Sequence, residues 1–350
     1  MTAGTDLAQR TPDPRPAPVR LDAAELHRHP MGRADHQSDK EGRGSVLVIA
    51  GSREVPGAAL LAGVAALRAG AGKLAIATAA SVAIPLAIAV PEARVIGLPE
   101  QDDGSPDPVK AIAALGRALD GADAVIFGPG FVPSPALARL GHNILSRCPC
   151  VPLVVDAGAL DMALLGPLAP HVLLTPHHGE MAHLLGCDKA EVDARAAILA
   201  CEAAVRWKGC VALKSAATLI ASPEGRSWVH EAGQAGLAMS GSGDVLAGLI
   251  GGLAAGGATL VDAALWGVAL HSMAGQRLGE RVGPVGYLAR DLATEVPRLL
   301  HEWTASADAV RQPPAMPAPG GRTPACGGGR VSPTSTESGH WPAAGLPDEG

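Results

Sequence analysis

One acid stands where a flexible loop meets an apolar helix. Between Gly236 and Gly257 the chain reads GLAMSGSGDVLAGLIGGLAAGG, with Ser240, Gly241, Ser242 and Gly243 alternating ahead of Asp244 and no charge after it. Glycines allow close backbone approach and positive φ. A helix predicted from about Asp244 to Leu253 turns its first free N–H groups back toward that loop, an anion site suited to phosphate. A carboxylate beside a bound phosphate is electrostatically unfavourable. It gains a purpose if Asp244 takes a proton from a hydroxyl while the amides of Gly241, Ser242 and Gly243 form an anion hole for the phosphoryl group. The competing reading is local: Asp is favoured in first helical turns, where it caps, and the glycines then make a tight turn.

The elements that must position this acid alternate. SVLVIAG (Ser45 to Gly51), KLAIAT (Lys73 to Thr78), DAVIFG (Asp123 to Gly128), PLVVDA (Pro152 to Ala157), HVLLT (His171 to Thr175), CVALK (Cys210 to Lys214) and TLIAS (Thr218 to Ser222) are predicted strands. Helical patterns such as Ala58 to Ala69, Val109 to Leu119 and Ala190 to Ala204 separate most of them. Continuous apolar strands between helices predict a largely parallel sheet covered on both faces. Ligands of such folds bind beyond the carboxyl ends of the strands. AGS, GPG, DAGAL, TPHHGE and KSAAT stand at those ends.

Several classes are excluded. RAGAGKLA (Arg68 to Ala75) lacks the leading glycine and the Ser/Thr of a phosphate-binding Walker loop, and no G-x-G-x-x-G follows the first strand. A net charge of −6 argues against a nucleic-acid partner. The six cysteines form neither a CxxC pair nor a disulfide framework, in keeping with a reducing cytoplasm. Residues 1 to 20 carry four prolines between Pro12 and Pro18 and no apolar leader. The run from Ala75 to Val90 is short for a bilayer span and contains Pro85, so it is expected to be a strand followed by a helix. Aromatic residues are only 2% of the chain, so the core must be aliphatic. The expected domain is 21–303, flanked by a disordered segment 1–20 and a disordered tail 304–350 rich in Pro, Gly, Ser and Thr.

Taken in order, Ala50 to Lys73 (AGSREVPGAALLAGVAALRAGAGK), PEARV, GPG, VVDAGAL, TPHHGE, KSAAT and the G-x-G-D of Gly241 to Asp244 resemble the ADP-dependent NAD(P)H-hydrate dehydratase family of the ribokinase-like superfamily. The resemblance covers about residues 21 to 303 and implies a three-layer α/β sandwich. It implies repair of nicotinamide cofactors that carry water across the ring. ADP phosphorylates the ring hydroxyl, phosphate leaves as the double bond reforms, and NADH or NADPH, AMP and phosphate result. Ala58, Gly130, His177 and Asp244 would contact the hydrated cofactor. Lys214, Ser215, Ala216, Ala217, Thr218 and Gly243 would bind the nucleotide, with Asp244 the general base. Magnesium is inferred from nucleotide phosphate chemistry, and a homo-oligomer, a tetramer among the forms, from the relatives.

The chain departs from the family pattern at Ser215, where glycine is usual, at Gly158 in place of an acid, and at Val132, Gln234 and Val55. Two other readings stand beside the dehydratase: a sibling kinase acting on a vitamin alcohol such as hydroxymethylpyrimidine or hydroxyethylthiazole, and a catalytically silent nucleotide-binding protein.

Overall fold

The computed structural model of the protein describes residues 17–32, 39–231 and 233–311, with side chains described as far as 304. Ten strands form one sheet among these residues: β1 (Val19–Arg20), β2 (Ser45–Ile49), β3 (Lys73–Ala79), β4 (Ala93–Leu98), β5 (Ala124–Phe127), β6 (Leu153–Val155), β7 (Val172–Leu174), β8 (Cys210–Leu213), β9 (Thr218–Ala221) and β10 (Ser227–His230). Their order is β1-β10-β9-β8-β7-β6-β5-β2-β3-β4. The run from β4 to β8 is parallel throughout, and β9 pairs antiparallel with both β8 and β10.

Every second side chain faces the same way along a strand. Val46 and Val48 of β2 join one core, whereas Leu47 and Ile49 join the other. Both faces are therefore dry, which is why these strands read as unbroken apolar runs. Helices α2 (Gly57–Arg68), α8 (Ser242–Ala255), α9 (Leu260–Arg281) and α10 (Ala289–Arg311) contribute to the first core; α4 (Pro108–Asp120), α5 (Pro135–Arg147), α6 (His178–Leu185) and α7 (Lys189–Trp207) supply the second. Short α1 (Ala23–Leu26) follows β1, and α3 (Ala83–Ala89) joins β3 to β4. The architecture is the expected three-layer sandwich.

Helix α8, which carries Asp244, has almost no wet face: twelve of its residues are buried. Its interior glycines cost intrinsic helix stability, about 1 kcal/mol each relative to alanine, and return it as close packing. A Cβ on Gly248 would stand 2.3 Å from the Ala62 carbonyl oxygen, and one on Gly252 2.5 Å from that of Ala66. The glycine stripe lets α8 lie directly on the backbone of α2, fixing the height at which its first turn meets the sheet.

Ordered structure reaches past both expected boundaries. Val19 and Arg20 pair with Trp228 and Val229 of β10, and α10 continues to Arg311. Backbone pairing and burial of Leu21 and Leu26 hold the first of these, a tertiary gain that proline-rich composition does not reveal. The rest of the two flanks expected to be disordered, residues 1–16 and 312–350, lies outside the described residues. Among the described residues the five cysteines are free, and no helix is long and apolar enough to cross a membrane.

Candidate active site

The chemistry gathers at the carboxyl ends of β6, β7 and β8. Asp156 directly follows β6, Thr175 follows β7 and Lys214 follows β8. The Lys214 amide donates to the Pro176 carbonyl at 2.8 Å, which stitches the KSAAT loop to the TPHHGE loop and sets His177 beside Lys214. Asp156 is 2% exposed. Its Oδ1 accepts from the Lys214 ammonium at 2.6 Å and from the Thr175 hydroxyl at 2.7 Å. Glu180 Oε2 stands 4.0 Å from the same ammonium. Burial by itself would lower the Lys214 pKa; the carboxylates of Asp156, Glu180 and Asp244 outweigh it and raise the pKa, so the lysine is a fixed cation. Ala157, next to Asp156, holds φ at +50°, a strained left-handed conformation for a residue with a Cβ, directly at the site.

Opposite stands the first turn of α8. Gly241 is its N-cap residue with φ at +87°, where an alanine Cβ would also come within 2.5 Å of Leu61 Cδ1. No side chain caps this end. The Ser242 amide already donates to the Met239 carbonyl at 3.3 Å, and Val245 donates to Gly241 at 3.1 Å. Of the amides expected in the anion hole, that of Ser242 is thus occupied, and helix geometry leaves those of Gly243 and Asp244 without intrahelical acceptors. A Cβ on Gly243 would lie 3.4 Å from Lys214 Nζ and 3.7 Å from Asp156 Oδ2, so the glycine keeps the space between cation and helix start open.

The Asp244 carboxylate has no hydrogen-bond partner among the described residues. Burial first, then repulsion from Asp156, push its pKa up to about 6 against a smaller pull from Lys214. A capping aspartate accepts backbone N–H groups and stays acidic. Asp244 does neither, and the capping alternative fails on that ground.

These groups line a cavity of about 910 Å³ together with Ser215, Ala216, Thr218, Gln234, Ser242 and Gly243. His177 lines it too, but its Nδ1 is occupied: it accepts from the Gly179 and Glu180 amides at 3.0 and 3.1 Å, while Glu180 Oε2 accepts from the His177 amide at 2.7 Å. This reciprocal capping box starts α6 and leaves Nε2 without a hydrogen bond among the described residues, 3.6 Å from Glu180 Oε1. Ala217 and Gly241 back the lining rather than face it. Ser215 braces its own loop, with Oγ donating to the Ala217 carbonyl at 2.8 Å.

Ala58 and Gly130 form a second group that does not line the large cavity. They abut: a Cβ on Gly130 would come 2.6 Å from that of Ala58. The Gly51 amide donates to Pro129 at 2.8 Å, tying the ends of β2 and β5 together. A smaller cavity of about 260 Å³ lies beyond them, between Ser52–Glu54, Asp103–Pro106 and Phe131–Ser134. Gly158 has no room for an acid, since a Cβ there would sit 2.3 Å from the Phe131 carbonyl oxygen. The sequence reading missed two histidines in the large cavity, His230 and His271. The second stands beside Ser272 in the otherwise apolar run LWGVALHSMAG, the one signal that pointed to it.

A largely parallel sheet with helices on both faces and a glycine-led helix start at its carboxyl edge defines a ribokinase-like α/β protein. The fold matches a ribokinase-like superfamily protein of Enterococcus faecalis with a TM-score of 0.69 at 23% identity, over 81% of this chain and 96% of that one. The chain belongs to the NAD(P)H-hydrate dehydratase family, whose sequence profile matches residues 46–298. An ADP-dependent (S)-NAD(P)H-hydrate dehydratase of Xanthomonas campestris pv. campestris is 50% identical over 262 residues, 75% of this chain and 90% of that protein. The crystal structure of an ADP/ATP-dependent NAD(P)H-hydrate dehydratase from Bacillus subtilis, co-crystallized with ATP/Mg2+, matches with a TM-score of 0.68 at 30% identity, over 81% of this chain and 98% of that one. The chain spans about half the length of the bifunctional NAD(P)H-hydrate repair enzymes that also match.

Proposed function

We propose that the chain dehydrates the S-epimer of hydrated NADH or NADPH, using ADP and releasing the reduced cofactor, AMP and phosphate. Family membership and the names of its relatives support the substrate. The unpartnered, half-buried Asp244 carboxylate facing a fixed cation across an open helix start carries the chemistry. A base that must accept a proton works best with a pKa near the working pH. The value of about 6 meets that need.

Asp244 takes the proton of the ring hydroxyl as its oxygen bonds to the terminal phosphorus of ADP and the bond to the AMP oxygen breaks. The ring C–O bond then breaks, its electron pair leaves with phosphate, and a proton lost from the adjacent ring carbon restores the double bond. Lys214 and the amides of Gly243 and Asp244 balance the charge that moves through the phosphoryl group. Ser215, Ala216, Ala217 and Thr218 hold the adenine nucleotide, whereas Ala58, Gly130 and His177 Nε2 meet the hydrated cofactor.

No cluster of three metal-ligating side chains occurs among the described residues. Magnesium carried in on nucleotide phosphates keeps its waters and needs only one or two carboxylates. Asp156 Oδ2, which accepts no hydrogen bond among the described residues, would be the oxygen to hold it, and the ion's charge would neutralise the phosphates. The protein would act as a homo-oligomer in the cytoplasm, which light scattering and cell fractionation test.

The deciding assay gives purified protein hydrated NADH, ADP and magnesium. The near-ultraviolet absorbance of the reduced cofactor is expected to return. No recovery, alongside ATP consumption with a vitamin alcohol, would transfer the chain to the kinases.

A further inference from the structure

We propose that His271 is a positioning residue, whose imidazole holds the Ser242 peptide and thereby aims the free amides of Gly243 and Asp244 at the transferring phosphoryl group. The inference rests on the dehydratase reading and adds to it a residue outside the expected set.

Helix α9 returns along α8, and at Gly267 the two nearly touch: a Cβ there would stand 2.5 Å from Ile250 Cγ1. His271 lies one turn further along α9 on the same side. The close contact delivers its ring to the start of α8, where Nε2 lies 3.0 Å from Ser242 Oγ and 3.1 Å from the Ser242 carbonyl oxygen. A carbonyl can only accept, so Nε2 carries the hydrogen, a tautomer assigned from the contacts. This carbonyl belongs to the first residue of α8 and shares its peptide plane with the amide of Gly243. Pinning it restricts rotation of the Ser242–Gly243 peptide plane, and with it the direction of that N–H.

The glycines on either side make such a tether necessary. Gly241 and Gly243 give the turn its shape but no rigidity, and no side chain caps it. Preorganised donors are worth far more to a transition state than donors that must first be oriented. The ring also suits its neighbours. Burial foremost, with the nearby Lys214 charge, holds its pKa down to about 4 against the Ser242 carbonyl, so near pH 7 it is a neutral donor. Lys214 remains the cation beside the phosphates.

The test compares His271→Gln, whose side-chain amide can still donate to Ser242, with His271→Leu, which fills the space without a donor. In the assay above, His271→Leu is expected to lose about 10–100-fold in kcat with KM for ADP and hydrated NADH little changed. His271→Gln should recover most of that loss. Backbone hydrogen exchange at 242–245 reads the tether without turnover and should quicken in the Leu variant only. Wild-type kcat in the Leu variant, or a folded Gln variant as slow as Leu, overturns the proposal. If His271→Leu does not fold, His271→Asn, too short to reach, replaces it, and equal rates and exchange for Asn and Gln overturn the proposal. An inactive wild type would instead defeat the functional reading, with hydrogen exchange still deciding the tether.

Discussion

The starts of α6 and α8 face the same cavity and are built in opposite ways. At α6, His177 and Glu180 satisfy each other's backbone amides, and the helix is complete before any ligand arrives. At α8, a left-handed glycine takes the N-cap position, two amides have no intrahelical partner, and the nearby carboxylate is pushed up to about pH 6 by burial and Asp156. A satisfied helix start is a wall, whereas an unsatisfied one stores binding and proton-transfer capacity that a ligand can use. The chain carries a histidine at the first and an aspartate at the second, and their surroundings set the two apart.

The sharpest way to break this contrast is Asp244→Asn. Turnover should fall by about 100–10,000-fold, the range of a lost general base, while AMP affinity by calorimetry stays within a few-fold. Comparable loss of binding would mean that the carboxylate is structural after all. In the wild type, kcat/KM should decline as pH drops through about 6, because the base must be ionised. An acid limb near pH 4 would place Asp244 in water instead.

Stability should move the other way. The folded-state pKa of Asp244 lies above the ordinary carboxylate value of 3.8. Its ionisation therefore costs folding free energy that appears as pH rises from about 4 to 6 and persists above. Asp244→Asn removes that cost, so at pH 8 the variant should be more stable by on the order of 1–3 kcal/mol, with the gain gone below pH 4. Urea unfolding at the two pH values measures it.

Gly241→Ala should destabilise by about 1–3 kcal/mol, from the left-handed φ and the clash with Leu61. At the capped helix, His177→Ala should cost about 1 kcal/mol of stability. Its effect on kcat should be far smaller than that of Asp244→Asn. A His177 variant as slow as the Asp244 variant would erase the distinction between the two helix starts.

Much of the frame was legible because it follows from short-range rules. Strands buried on both faces must be continuously apolar, so seven of the ten showed themselves within one or two residues of their observed ends. Short β1, edge strand β4 and β10 did not, since pairing rather than pattern makes them strands. His271 was not assignable, because a histidine inside an apolar helix says nothing of the atom that its ring will meet 29 residues away.

The amino-acid sequence by itself determined the layered sheet, the order in which loops emerge from its carboxyl edge, and the presence of one acid after a glycine turn. Each depends on periodicity or on neighbours a few residues apart. Tertiary structure decided which amides stay free, which Asp156 oxygen Lys214 occupies, that His177 spends one nitrogen on its own helix, and how far Asp244 is shifted from ordinary acidity. Those outcomes depend on electrostatics and hydrogen bonds between groups distant in the chain, and only their convergence in space sets them.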